Sequence, residues 1–246
     1  MIRLPREHGA TAIALACSVC GWAVSKRWAW EPAALMGATW FFFLAAQPLR
    51  LWGKARSTDA VPLMPTLVGF GLLAIPGCVL GVAAMRHAEP LWLGAIAAPG
   101  VVYGVLIATG RERAVVARLL GIAALSALGP AAFGSATGRF GLEAAVLWGA
   151  LWSYFTLVGI LIMARVRDSR RARAAVRVAA PVVLGASVLG VVYGLAHWLL
   201  PFAYAVVAFR AWVGGGTAQR VDPVRAGKTE LALSLVPVIL IAAGLR

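Results

Sequence analysis

Long apolar runs separated by short, arginine-rich gaps organise the whole chain. With a span taken as roughly 20 apolar residues, and shorter ones accommodated by tilt or bilayer thinning, the pattern predicts nine transmembrane helices. They fall at about residues 9–25, 31–48, 62–84, 91–109, 118–136, 142–164, 178–198, 199–213 and 230–245. The fold class is therefore all-α: a polytopic helical bundle forming a single integral membrane domain over residues 1–246. The eighth run is short and follows the seventh directly at Leu199-Leu200-Pro201. The first follows Arg3 and Arg6 as a signal sequence would, but Trp22, Lys26, Arg27 and Trp28 stand where a small-residue cleavage site belongs, so it is expected to be retained.

The polar gaps then orient the bundle. Arg165 to Arg177 holds six arginines and Asp168 between two apolar runs. On the same set of alternate gaps lie Arg3 and Arg6, then Arg50, Lys54 and Arg56, then Arg111, Arg113 and Arg118, and finally Arg210, Arg220, Arg225 and Lys228. Together these are 18 of the 23 basic residues. The opposite set carries Lys26, Arg27, Arg86, Arg139 and Arg246. The positive-inside bias turns this asymmetry into an expected cytoplasmic N-terminus and external C-terminus. Trp22, Trp28, Trp30, Trp92 and Trp198 fall near the outer ends of the runs, and Trp52 and Trp212 near the inner ends, where amphipathic rings anchor.

Composition agrees with a membrane protein. The chain is 61% hydrophobic and 13% charged, with a mean hydropathy of +0.85, whereas soluble domains carry charge on about a quarter of their residues. The net charge of +14 would suggest nucleic acid in a soluble chain. Here it lies in gaps between spans, so anionic lipid head groups are the expected partners and nucleic acid is not. Cys17, Cys20 and Cys78 sit inside apolar runs, an odd number that points to packing, not to disulfides or a metal. Small residues and breakers, including the Gly190 and Gly194 pair, predict close helix contacts and local kinks.

No Asp, Glu, Lys or His falls in the middle of a predicted span. A charge there costs about 3 kcal/mol or more and is kept mainly for pathways and relays, so ion-coupled transport lacks its usual signature. Arg210, at the end of the eighth run, is expected to snorkel to the interface. The polar chemistry gathers on the basic face. Its candidate phosphate contacts are Arg6 and His8 near the first span, Arg50 and Lys54 one turn apart, Arg113, Arg165 with Asp168, and Arg225. Guanidinium forks and ammonium groups suit phosphate oxygens, and the same residues would also serve as topology determinants on anionic lipid. No catalytic triad, metalloprotease helix or phosphate-cradling loop motif is present, no catalytic residue is assigned, and no protein-bound metal is expected.

The opening Leu4-Pro5-Arg6-Glu7-His8-Gly9-Ala10 and the late segment Arg225 to Ser234, RAGKTELALS, together with the length and span pattern, resemble the YwiC-like family of bacterial membrane proteins. That resemblance implies a multi-pass protein of the bacterial inner membrane and no defined activity. The layout is also similar to the UbiA superfamily of intramembrane prenyltransferases, whose two aspartate-rich motifs hold magnesium against a prenyl diphosphate in the second/third and sixth/seventh gaps. Here those gaps hold one acid each, Asp59 and Asp168, among arginines. Magnesium needs several oxygen ligands, so no cofactor is expected and direct arginine contact with a phosphate is easier to support. If the protein is an enzyme, the resemblance makes it a prenyltransferase relative with degenerate acidic motifs. The reading is a membrane protein whose cytoplasmic face suits a phosphate-bearing lipid or isoprenoid; a small-molecule or anion transporter and a non-catalytic accessory subunit are the alternatives.

Overall fold

The computed structural model describes residues 8–55, 63–88, 90–111, 115–166, 169–214 and 223–245. Among the described residues every element is helical: α1 (His8–Ser25), α2 (Glu31–Ala55), α3 (Leu63–Ala84), α4 (Pro90–Ala108), α5 (Val115–Ser126), α6 (Leu128–Thr137), α7 (Leu142–Val166), α8 (Arg170–Val192), α9 (Leu199–Gly214) and α10 (Pro223–Gly244). Helices α5 and α6 form one interrupted span. Pro130 has no N–H to return to Ser126, while Ala127 and Ala131 keep their own bonds across the break at 3.0 and 3.1 Å. Among the described residues five segments are long and apolar enough to cross a membrane, and shorter apolar helices lie at 9–25, 31–46, 199–213 and 232–244. These coincide with the nine apolar runs, and the protein is a helical membrane bundle.

Helices alternate in direction, so the ends of α2, α7 and α9 and the starts of α5, α8 and α10 share one end of the bundle, here called the basic end. The boundaries there differ from expectation in one consistent way. The last turns of α2, the first two turns of α8 and the first two turns of α10 were expected as polar gaps, yet all are helical. Ser169 explains α8: its extended backbone and its side chain, which accepts from the Ala172 N–H at 3.3 Å, cap the helix before the arginine run begins. Arginine is a good helix former, and Arg170, Arg171 and Arg177 are exposed, so a basic sequence does not end the helix.

At the opposite end α8 stops at Val192, six residues short of its expected limit. Gly194 adopts φ +69°, and Leu195 N–H returns to the Gly190 carbonyl at 2.8 Å, the left-handed helix termination that glycine permits. The Gly190 and Gly194 pair is thus a helix end and not a packing seam; a methyl on either would meet nothing within 4 Å.

Helix α7 is the centre of the core. Its Leu147, Leu151, Tyr154, Phe155, Leu157, Val158 and Leu161 are buried among α5, α6, α8, α9 and α10. Helix α1 crosses α6 so closely that a methyl on Gly21 would overlap the Gly129 carbonyl, and one on Gly129 would overlap Leu151; small residues allow this approach. Cys17 and Cys20 are buried beside that crossing as free thiols, and Cys78 is exposed. Helices α3 and α4 are peripheral: Leu67, Leu72, Ile75, Val79 and Val82 on α3 and Leu91, Val101 and Val105 on α4 are exposed, the composition of lipid-facing surface. Trp28, Trp30, Trp198 and Trp212 are also exposed at helix ends, as interfacial anchors require.

Candidate functional site at the basic end

Three helices bring charge together at the basic end. On α7, the spacing of Tyr154, Val158, Leu161 and Arg165 places them on one face, since residues three and four apart stack. On α10 the same rule aligns Glu230, Ser234 and Val238. Helix α9 supplies Arg210 between them. The Glu230 carboxylate bridges two guanidinium groups: Arg165 Nη1 donates to Oε1 at 2.8 Å, and Arg210 Nη2 donates to Oε2 in a short contact. Side-chain exposure is 1% at Glu230, 10% at Arg210 and 23% at Arg165, so the cluster is sunk into the bundle with Arg165 nearest its mouth.

Two cations against one anion leave a formal excess of one positive charge, and the hydrogen-bond inventory locates it. Arg210 Nε and Nη1 are buried and have no acceptor among the described residues. The hydroxyl of Tyr154 lies beside Ser234 and in the field of Arg210. Ser234 donates back to the Glu230 carbonyl at 2.7 Å. Deeper in the bundle, Tyr204 donates to the Ala150 carbonyl and contacts Ser153 Oγ, each at 2.8 Å. A line of polar groups therefore runs from Arg165 inward along the α7, α9 and α10 seam. Buried donors normally find acceptors, and two of the Arg210 nitrogens have none among the described residues.

Arg210 does not snorkel as expected. It turns inward onto Glu230, because α10 begins at Pro223 and so carries the acid about two turns into the helix, buried beside α9, and not at a solvated gap. Glu230 lies within a membrane helix but near one end, which agrees with the expectation that no acid falls in the middle of a span. The signal was present in the sequence as an arginine closing one apolar run and an acid opening the next.

Of the expected phosphate contacts, Arg165 is in the cluster. Arg6, Arg113 and Asp168 lie outside the described residues, as does Asp59. His8, Arg50, Lys54 and Arg225 lie on α1, α2 and α10, all at the basic end, and their side chains lie outside the described residues. Arg118, on α5, reaches α7 nearby, donating to Met163 Sδ at 3.2 Å.

Residues 4–133 match the YwiC-like protein family. The chain belongs to that family. The matched stretch covers α1 to α5 and most of α6, so the α1–α6 crossing lies within the part this YwiC-like protein shares with its family, and Arg165, Arg210 and Glu230 lie beyond it. No curated protein and no solved structure matches the chain.

A second charged pair sits at the opposite end. Arg86 Nη2 donates to Glu31 Oε1 at 3.3 Å, lies 5.7 Å from the Trp30 ring centre and donates through Nε to His87 at 2.9 Å. With Arg86 half exposed, this is an interfacial anchor and not a site.

Proposed function

We propose that this YwiC-like membrane protein binds a phosphate-bearing lipid or isoprenoid at its basic end, with Arg165 and Arg210 receiving the phosphate at the cytoplasmic face of the bacterial inner membrane. The observation that carries the reading is the pair of Arg210 nitrogens, buried and without an acceptor among the described residues, beside the Tyr154 hydroxyl. A buried guanidinium that is only half used is costly unless an acceptor is supplied, and a phosphate presents several strong ones. The partial exposure of Arg165, 23%, together with the arginines and lysines that the sequence places at this end, favours a ligand that arrives from an anionic membrane surface.

Catalysis is not required by this reading. A prenyltransferase role would need magnesium, and the acids that the layout would offer are Asp59 and Asp168. Magnesium-dependent consumption of a prenyl diphosphate by the purified chain would establish it. Transport of a small anion is the second reading, favoured by the inward line of Tyr154, Ser234, Tyr204 and Ser153; anion uptake into proteoliposomes that is lost with Arg210→Met/Glu230→Leu would support it over lipid binding.

The lipid reading is tested by mass spectrometry of lipids that remain with the detergent-purified protein. Wild type is expected to retain a phosphate lipid that Arg210→Met/Glu230→Leu loses. Equal lipid retention by both proteins would exclude the cluster as the binding site.

A further inference from the structure

Building on the anion-site reading above, we propose that Glu230 is a built-in competitor for that site, so that an incoming anion displaces its carboxylate and binding is coupled to proton uptake by Glu230. The geometry is that of an occupied phosphate clamp. Each carboxylate oxygen takes one guanidinium, Arg165 on Oε1 and Arg210 on Oε2, and a phosphate or sulfate edge presents the same pair of oxygens. Carboxylate and dianion cannot both hold the two arginines at full strength.

The displaced acid decides the coupling. At 1% exposure, Glu230 without its arginines would be a buried anion next to another anion, an arrangement disfavoured by desolvation and like charge alike; as a neutral acid it avoids both. One proton therefore enters as the ligand binds, and no other covalent change is needed.

The surroundings offer little else to titrate. Helices α1, α7 and α9 pack on α10. From α7 come Arg165 and Tyr154, from α9 Arg210 with Tyr204 deeper, and from α1 Cys17 and Cys20, the latter with its sulfur toward the Val238 carbonyl at 3.9 Å, two turns beyond Glu230. On α10 itself the described neighbours are the neutral Thr229 and Ser234; the side chains of Arg225, Lys228 and His8 lie outside the described residues. The other acids among the described residues, Glu31 and Glu143, begin α2 and α7 at the opposite end.

Sulfate is the suitable probe, because it remains a dianion from pH 6 to 8 and contributes no titration of its own. Sulfate would be titrated calorimetrically into the full-length, detergent-solubilised chain at pH 8, 7 and 6, in two buffers of different ionisation enthalpy. For wild type, affinity is expected to rise as pH falls, by up to about tenfold per unit, with close to one proton taken up. Glu230→Gln, whose amide does not compete as a charge, is expected to bind about tenfold or more tightly than wild type at pH 8 and to show no pH dependence. Binding that is pH-independent in wild type, or no tighter in Glu230→Gln, overturns the displacement while leaving the anion site standing. Sulfate binding to neither protein at any pH overturns the anion site itself, and the displacement with it. If Glu230→Gln fails to fold, the proton count for wild type in the two buffers decides alone.

Discussion

Two carboxylate–arginine associations among the described residues use the same groups in opposite settings. Glu31 and Arg86 meet at one end of the bundle with the arginine half exposed and backed by Trp30, while Glu230 holds Arg165 and Arg210 inside the α7, α9 and α10 seam. In the first, water screens the pair from the side of the half-exposed Arg86, although Glu31 is itself 11% exposed. In the second, water reaches only the rim at Arg165, and the stoichiometry is uneven, with donors to spare. Burial thus converts an anchoring contact into one whose every group must be accounted for, and it is the unaccounted donors that point to a ligand.

Breaking the buried cluster should produce the largest effect. Glu230→Ala leaves two guanidinium groups facing each other without an anion and is expected to lower stability by about 3–5 kcal/mol, read as a fall in melting temperature in a fixed detergent. Replacing all three charges at once with apolar side chains, Arg165→Met/Arg210→Met/Glu230→Leu, should restore most of that loss, to within about 2 kcal/mol of wild type, and abolish anion binding. A triple variant as unstable as Glu230→Ala would show that the charges are needed for folding itself. The same contrast can be sharpened with one atom. Tyr154→Phe removes a hydroxyl whose neighbour is Ser234, so stability should change by no more than about 1 kcal/mol, while anion affinity falls by about threefold to tenfold in calorimetry. An unchanged affinity would remove Tyr154 from the site. Arg86→Ala should have the smallest effect, at most about 1 kcal/mol and weaker still in high salt; a larger loss would mean that the two ends are not as different as their exposure implies.

The bundle was readable because the bilayer imposes its length on every span, so that apolar runs and alternate basic gaps predict the helices and their direction with few free choices. Where helices stop was less readable. Arginine at Arg170 to Arg177 marks the edge of the hydrocarbon layer and not the end of the helix, and only the Ser169 cap tells the two apart. The site was legible in part. Arg165 stood out by its charge, but Arg210 and Glu230 looked like residues bound for solvent, since their pairing depends on α10 starting seven residues before its apolar run and on α9 lying against it. The closest helix crossing, Gly21 on Gly129, is equally invisible one glycine at a time, because only the packed bundle says which glycines meet.

Receipt of a phosphate by the half-used Arg210 and its neighbours is checked by melting the purified protein with a polyprenyl phosphate and, separately, with the corresponding polyprenol, which has the same tail and no charge. A ligand that binds only the folded state at about 100 times its dissociation constant adds about 2.7 kcal/mol, enough to move the melting temperature by several degrees. The phosphate is expected to raise the melting temperature of wild type, the alcohol is expected to leave it unchanged, and the apolar triple variant is expected to respond to neither. Equal stabilisation by phosphate and alcohol, or stabilisation of the triple variant by the phosphate, would contradict receipt of a phosphate at Arg210.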